Sequence, residues 1–190
     1  MLEQLPRTHY AAIYADPPWR FKTWDKVESA GRGEPHYRTM PLEEIAALPI
    51  ANLAADDCVL FLWMTWPMLL DALHVIHVWG FEYKTCGFSW TKARADQIEM
   101  FQDELNDQMG LGYWTRANNE ACLLATRGNP KRRDAGVRQA IIEPRREHSR
   151  KPDCIYARIE RLVAGPYLEL FARTRRDGWD AWGNEIEKFA

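Results

Sequence analysis

At 190 residues the chain is long enough to bury a proper core and reads as one domain, residues 1–190. Its hydrophobic content of 46%, with nine Trp, fits a soluble α/β protein, and a formal net charge of −2 does not announce a polyanion binder. No apolar run reaches membrane-span length, the Met1 end lacks a signal peptide's layout, and Cys58, Cys86, Cys122 and Cys154 are too scattered for a zinc site or a disulfide framework; a cytoplasmic location and no membrane partner are expected.

In chain order, the run Ala11-Ala12-Ile13-Tyr14-Ala15 reads as a buried strand over about Tyr10–Ala15, closed by Asp16-Pro17-Pro18-Trp19. From Arg20 to Arg38 no periodicity is sustained, which predicts a long mobile loop, a lid over a substrate. Pro41 suits the first turn of a short helix, Pro41–Leu48, with Leu42, Ile45 and Leu48 on one face. Cys58–Met64 is a continuous apolar run and predicts a central strand. A helix over about Trp66–Trp79 follows and stops at Gly80. Phe81–Lys92 gives a further strand or pair of strands.

Ala93–Gly112, acidic and amide-rich, predicts a helix ending in hinges at Gly110 and Gly112. Glu120–Thr126 returns as a buried strand, Gly128–Arg133 is a basic loop, and Gln139–Glu143 is a short strand. Pro152–Val163 is a helix with Ile155, Ile159, Leu162 and Val163 on its buried face; Tyr167–Ala172 is the last strong strand, and the stretch through Trp179, Trp182 and Gly183 reads as a turn-rich cap. Alternating strands and helices predict a mostly parallel α/β sheet of Rossmann-like type, covered by helices on both faces. Neither G-x-G-x-x-G nor a Walker-type loop is present, which argues against a nicotinamide enzyme or an NTPase. His74 and His77 share a helical face without a third ligand, so no metal site is read.

The most informative stretch is Asp16-Pro17-Pro18-Trp19. Two prolines forbid continued ladder pairing and fix φ at successive positions, so the strand stops there in a stiff turn. A carboxylate, a proline carbonyl and an aromatic face then stand at a strand's carboxyl end, where open α/β sheets bind ligands. These parts suit the exocyclic amine of a planar base. The Asp16 carboxylate and the Pro17 carbonyl would accept its two hydrogens and localise the nitrogen lone pair; as positive charge grows on nitrogen during alkyl transfer, acceptors already in place favour the transition state. Trp19 would stack on the base. The bland alternative is a Pro-rich turn with an Asp cap and a core Trp.

With this signature come Tyr37-Arg38-Thr39-Met40, Leu60-Phe61-Leu62-Trp63, Gly112-Tyr113-Trp114-Thr115-Arg116, Asn119-Glu120, Gly128-Asn129-Pro130, Ser149-Arg150-Lys151-Pro152-Asp153, Glu169-Leu170-Phe171-Ala172-Arg173 and Trp182-Gly183-Asn184-Glu185. In this order, over roughly Tyr10 to Glu185, the chain resembles amino-group methyltransferases that use S-adenosyl-L-methionine. More narrowly it is similar to the family named after the seventy-kilodalton catalytic subunit of mRNA adenosine-N6 methyltransferase, in its bacterial and phage form. The resemblance implies a Rossmann-like methyltransferase that modifies the N6 amine of adenine, with Asp16, Pro17, Pro18 and Trp19 as the catalytic corner. It assigns Lys151 to the methionine carboxylate and Asp16 to the methionine ammonium. Glu169, Leu170 and Phe171 come to lie beside the cofactor, and Arg173, Asn184 and Glu185 against its ribose and adenine. Read without the family, Lys151 is equally a solvated helix-start lysine and Asn184 an ordinary turn residue. Departures from the eukaryotic relatives include Arg150 in place of a His and Glu185 in place of a Gln.

For the substrate, Trp19, Tyr37, Tyr113 and Arg116 are candidates for the base pocket, with Trp63 and Trp114 nearby in the pattern. Three basic clusters, Lys131-Arg132-Arg133, Arg145-Arg146 with Arg150, and Arg173 with Arg175-Arg176, are expected at the catalytic edge, where Arg132 and Arg150 would meet phosphates; solvated loops are the alternative. A base amine is reached only by extruding the base or by using single strands. The expected partner is nucleic acid, DNA favoured for a compact chain, with RNA and a non-catalytic subunit role left open, as are homo- and hetero-oligomers.

Overall fold

The computed structural model describes residues 9–20, 39–93, 114–115, 117–147 and 149–188. Seven strands form one sheet: β1 (Tyr10–Ala15), β2 (Ala54–Met64), β3 (Glu82–Ala93), β4 (Asn119–Arg127), β5 (Ala140–Pro144), β6 (Tyr167–Leu170) and β7 (Trp179–Trp182), in the order β5-β3-β4-β2-β1-β6-β7. β1 pairs in parallel with β2 and β6, β6 with β7, and β3 with β5, whereas β4 is antiparallel to both β2 and β3. Thus β4 alone runs against the common direction. The mostly parallel α/β sheet expected from the sequence is present.

Helices cover both faces, which is why the central strands read as continuous apolar runs. On one face α1 (Leu42–Ala46) and α2 (Leu69–Val78) bury Ile45, Ala72, Val75 and Ile76 against Ile13, Leu60, Leu62, Leu168 and Leu170. On the other, α3 (Cys154–Leu162) sets Ile155, Tyr156 and Ile159, four-apart and adjacent positions of one stripe, against Ala12, Tyr14, Phe61 and Trp63. A 3-10 turn, Trp66–Met68, leads into α2, and Gly80 at φ +82° ends it, as expected for a left-handed stop after a helix.

Several boundaries differ from the sequence reading, most by one or two residues. β2 begins at Ala54 rather than Cys58, and α1 is shorter than Pro41–Leu48, while the strand or pair of strands expected over Phe81–Lys92 is the single strand β3, Glu82–Ala93. The region expected to be a turn-rich cap contains β7, tied in by the Trp179 ring stacked on Tyr167 at 4.8 Å and by Tyr10 Oη donating to Asp180 Oδ2 at 2.6 Å. The lid expected beyond Arg20, Tyr37 included, and the helix expected over Ala93–Gly112 lie outside the described residues, except that Ala93 ends β3.

Candidate active site

Because six strands share one direction, their carboxyl ends gather Asp16 (after β1), Thr65 (after β2), Lys92 (end of β3), Phe171 (after β6) and Gly183 (after β7) at one edge; reversed β4 brings its first residues, Asn119 and Glu120, to the same edge. The Asp16 corner is rigid. The Trp19 N–H donates to the Pro17 carbonyl at 2.8 Å and the Met40 N–H to the Pro18 carbonyl at 2.8 Å, pinning both carbonyls of the Pro-Pro step. The Pro17 carbonyl therefore keeps one of its two lone pairs for a further donor.

Around Asp16 the charged side chains alternate in sign. Lys92 pairs with Glu120 at 2.5 Å, Glu120 with Lys151 at 3.1 Å, and Lys151 with Asp16 Oδ1 at 3.0 Å. Asp16 Oδ2 meets Arg173 Nη1 at 3.3 Å, Arg173 Nε meets Glu185 at 3.3 Å, and Glu185 meets Lys188 at 2.8 Å. Arg173 Nη1 also donates to the Ser149 carbonyl at 2.7 Å. Burial disfavours the charge on Lys151, but the Asp16 and Glu120 carboxylates outweigh it and raise its pKa. Burial would likewise push Glu120 up, yet Lys151 and Lys92 bring it down to about 2. Lys151 also stands over the Trp63 ring, 5.4 Å from its centroid.

Two cavities meet at this edge. One of about 220 Å³ runs between the Asp16 corner and the turn after β7, lined by Pro18, Met40, Phe171, Arg173, Asn184 and Glu185 among others. A polar one of about 40 Å³ lies towards α3, lined by Asp16, Lys151, Arg150, Tyr156, Glu169 and Arg173 among others. Phe171 and Arg173 border both. Phe171 adopts φ +61°, a left-handed conformation uncommon for a bulky residue, as the chain leaves β6. Gly183 lets the turn after β7 cross that segment: a Cβ there would stand 2.6 Å from the Ala172 carbonyl oxygen and 2.7 Å from its nitrogen. Opposite charges 3.0 Å apart beside an apolar-walled cavity fit a zwitterionic amino acid joined to a nucleoside, with Asp16 for an ammonium, Lys151 for a carboxylate, and Asn184 and Glu185 for hydroxyls.

The structure thus brings Asp16, Pro18, Lys151, Phe171, Arg173, Asn184 and Glu185 to one place. Glu169 is there too, but only 7% exposed: Tyr156 Oη donates to its two oxygens at 3.1 Å and 3.0 Å. Desolvation raises its pKa to about 7, against the Tyr156 bond and with the help of the Asp16 charge. Arg150 lines the polar cavity and pairs with Glu147 and Asp153.

Three assignments are corrected. Trp19 is 4% exposed, packs in the core under α1 and α2, and donates its indole N–H to the Trp63 carbonyl at 2.9 Å; it offers no stacking face. Leu170 is fully buried in the same core, so its side chain meets no ligand. Arg132 lies at the opposite edge of the sheet, because reversed β4 carries the loop after Arg127 to the strands' amino ends; there the Asn129 N–H bonds Asp57 and the Arg133 N–H bonds the Leu162 carbonyl. Tyr113 and Arg116 are outside the described residues, and Trp114 is fully exposed. Glu120, unassigned from the sequence, is central; a lone glutamate opening the apolar strand Ala121-Cys122-Leu123-Leu124 was the available signal.

Residues 10–185 match the model of the MT-A70 family. The chain is 35% identical to the type II methyltransferase M.MunI of a Mycoplasma species, over 96% of this chain and 80% of that protein. It is 30% identical to the human N(6)-adenosine-methyltransferase catalytic subunit METTL3, over 94% of this chain and 28% of that protein. The N(6)-adenosine-methyltransferase MT-A70-like protein of Drosophila melanogaster is also 30% identical, over 94% of this chain and 27% of its own length. The chain therefore spans little more than a quarter of these two animal relatives.

Proposed function

Because this chain belongs to the MT-A70 family, we propose that it transfers a methyl group from S-adenosyl-L-methionine to the exocyclic N6 amine of adenine in DNA. The observation that carries this reading is the Asp16 carboxylate, fixed just after β1 between Lys151 and Arg173 in the wall of the polar cavity that adjoins the larger one at Phe171 and Arg173. DNA is preferred because the matched length covers most of the type II methyltransferase, whereas the relatives named for adenosine, a ribonucleoside, are matched over little more than a quarter. We read the chain as one methyltransferase domain working in the cytoplasm; no described helix is long and apolar enough to cross a membrane.

When bound, S-adenosyl-L-methionine supplies an electrophilic methyl group on a sulfonium. Lys151 would hold its carboxylate and Asp16 its ammonium, with Arg173, Asn184 and Glu185 along its nucleoside. Asp16 borders the target amine as well. Its carboxylate and the remaining lone pair of the Pro17 carbonyl would accept hydrogen bonds from the two amine N–H groups, drawing the nitrogen lone pair out of conjugation with the ring; once methylated, the cationic nitrogen would lose one of these protons to solvent. The Pro-Pro turn holds these acceptors still, so the charge growing on nitrogen meets a preorganised field. No covalent intermediate with the protein is needed.

The test is transfer of labelled methyl groups to matched adenine-containing DNA and RNA oligonucleotides, with cofactor binding followed by calorimetry. Labelled DNA, lost in Asp16→Ala, is the expected result. Transfer to RNA alone overturns the choice of polymer. A chain that neither binds the cofactor nor methylates any oligonucleotide is a binding subunit rather than an enzyme.

A further inference from the structure

Trp19 turns its ring into the core, and among the described residues another Trp is exposed at the same edge. We infer that Trp66 is a stacking platform for a nucleobase of the bound strand next to the extruded adenine, a role that rests on the nucleic-acid reading above. Trp66 follows β2 at its carboxyl end and is 46% exposed, where most tryptophans of this chain are core. Its ring is not loose: the indole N–H donates to Asn119 Oδ1 at 2.9 Å, so its one polar atom is satisfied and an apolar face stays turned to solvent.

The position is continuous with the site. Asn119 adjoins Glu120, which pairs with Lys151, which pairs with Asp16. Leu70, 79% exposed and four residues on, extends the apolar rim at the start of α2. Thr65 Oγ1 and Asn118 Nδ2, next in sequence to Trp66 and to its partner Asn119, are buried side-chain polar atoms without a hydrogen-bond partner among the described residues. Extruding one base unstacks its neighbours, and an exposed ring beside the site restores a partner to one of them whatever its identity, since every base has a π-face.

Equilibrium binding of a labelled single-stranded DNA oligonucleotide to the full chain is the readout, so absence of methyl transfer would sink the enzyme reading without touching this measurement. Trp66→Ala is expected to weaken binding by about 5- to 150-fold, the worth of one base stacked on an aromatic ring. Calorimetric affinity for S-adenosyl-L-methionine and the melting temperature should stay unchanged, and Trp66→Phe should recover most of the loss. Removing the base on one side of the target adenine should weaken the wild type and leave Trp66→Ala indifferent. Equal oligonucleotide affinity in wild type and Trp66→Ala overturns the proposal. So does unchanged affinity accompanied by a shift from dimer to monomer in Trp66→Ala, which would give this rim to a second copy of the chain.

Discussion

Lys151 and Asp16 meet at 3.0 Å although one lies in the segment before α3 and the other just after β1, and the same ammonium holds Glu120 at 3.1 Å. Two carboxylates, one just after β1 and one on β4, are thereby held by one cation.

Removing that cation should be felt twice. Lys151→Met leaves Asp16 and Glu120 without their shared partner in a largely buried setting, and losing one member of a buried pair costs about 3–5 kcal/mol. Denaturant melts should show a loss of that order, and calorimetry should show cofactor affinity falling by more than the stability change alone would produce.

Glu169 and Glu120 make opposite contributions with pH. Glu169 holds its proton up to about 7 in the folded chain, against 4.5 ordinarily, so between those values the fold binds a proton that the unfolded chain releases. Stability from this group is full below pH 4.5 and declines as pH rises through about 7. Glu120, at about 2, stabilises above pH 4.5 and ceases to do so as pH falls towards 2. Glu169→Gln should therefore gain roughly 3 kcal/mol over wild type at about pH 8 and nothing at about pH 4, read by chemical unfolding across pH. Glu120→Gln should be most harmful near neutrality, the gap narrowing on acidification.

Trp19→Phe keeps a ring in the core but strands the Trp63 carbonyl, which the indole N–H now satisfies at 2.9 Å. A cost of about 1–3 kcal/mol is expected in unfolding experiments, with oligonucleotide affinity of the folded protein unchanged. A selective loss of affinity without loss of stability would return the stacking role to this residue.

Gly183→Ala drives a methyl group into the Ala172 backbone at 2.6–2.7 Å, and neither side of that contact is a flexible side chain. The turn must move, taking Asn184 and Glu185 with it. Unfolding should come about 1–3 kcal/mol sooner, with weaker cofactor binding measured on the protein that remains folded.

Much of this arrangement was legible beforehand. Tyr10–Ala15 announces itself because both faces are covered, its run is apolar throughout, and two prolines end it. Asp16 follows from that ending. What period and composition do not carry is direction. Strand β4 looks the same read either way, so the sequence leads one to expect the basic loop after it at the catalytic edge, although it emerges at the opposite one. Likewise, residue type says that Trp19 is large and flat, not which way it points. Trp179–Trp182 is only four residues with a charge inside it, too short for a pattern, and becomes a strand because β6 offers it a free edge. Glu120 escaped assignment because an acid at the mouth of a strand normally reads as solvated; only the approach of Lys92 and Lys151 makes it a keystone.

The reversal of β4 gives the molecule two unlike poles. Glu120 opens on the reacting pole, while Arg127 and the loop behind it, clasped by Asp57, open on the far one. Cargo tethered at Lys131-Arg132-Arg133, whether a fluorophore, a bead or a fused sequence reader, would ride on the pole turned away from the chemistry and leave the approach to Asp16 clear.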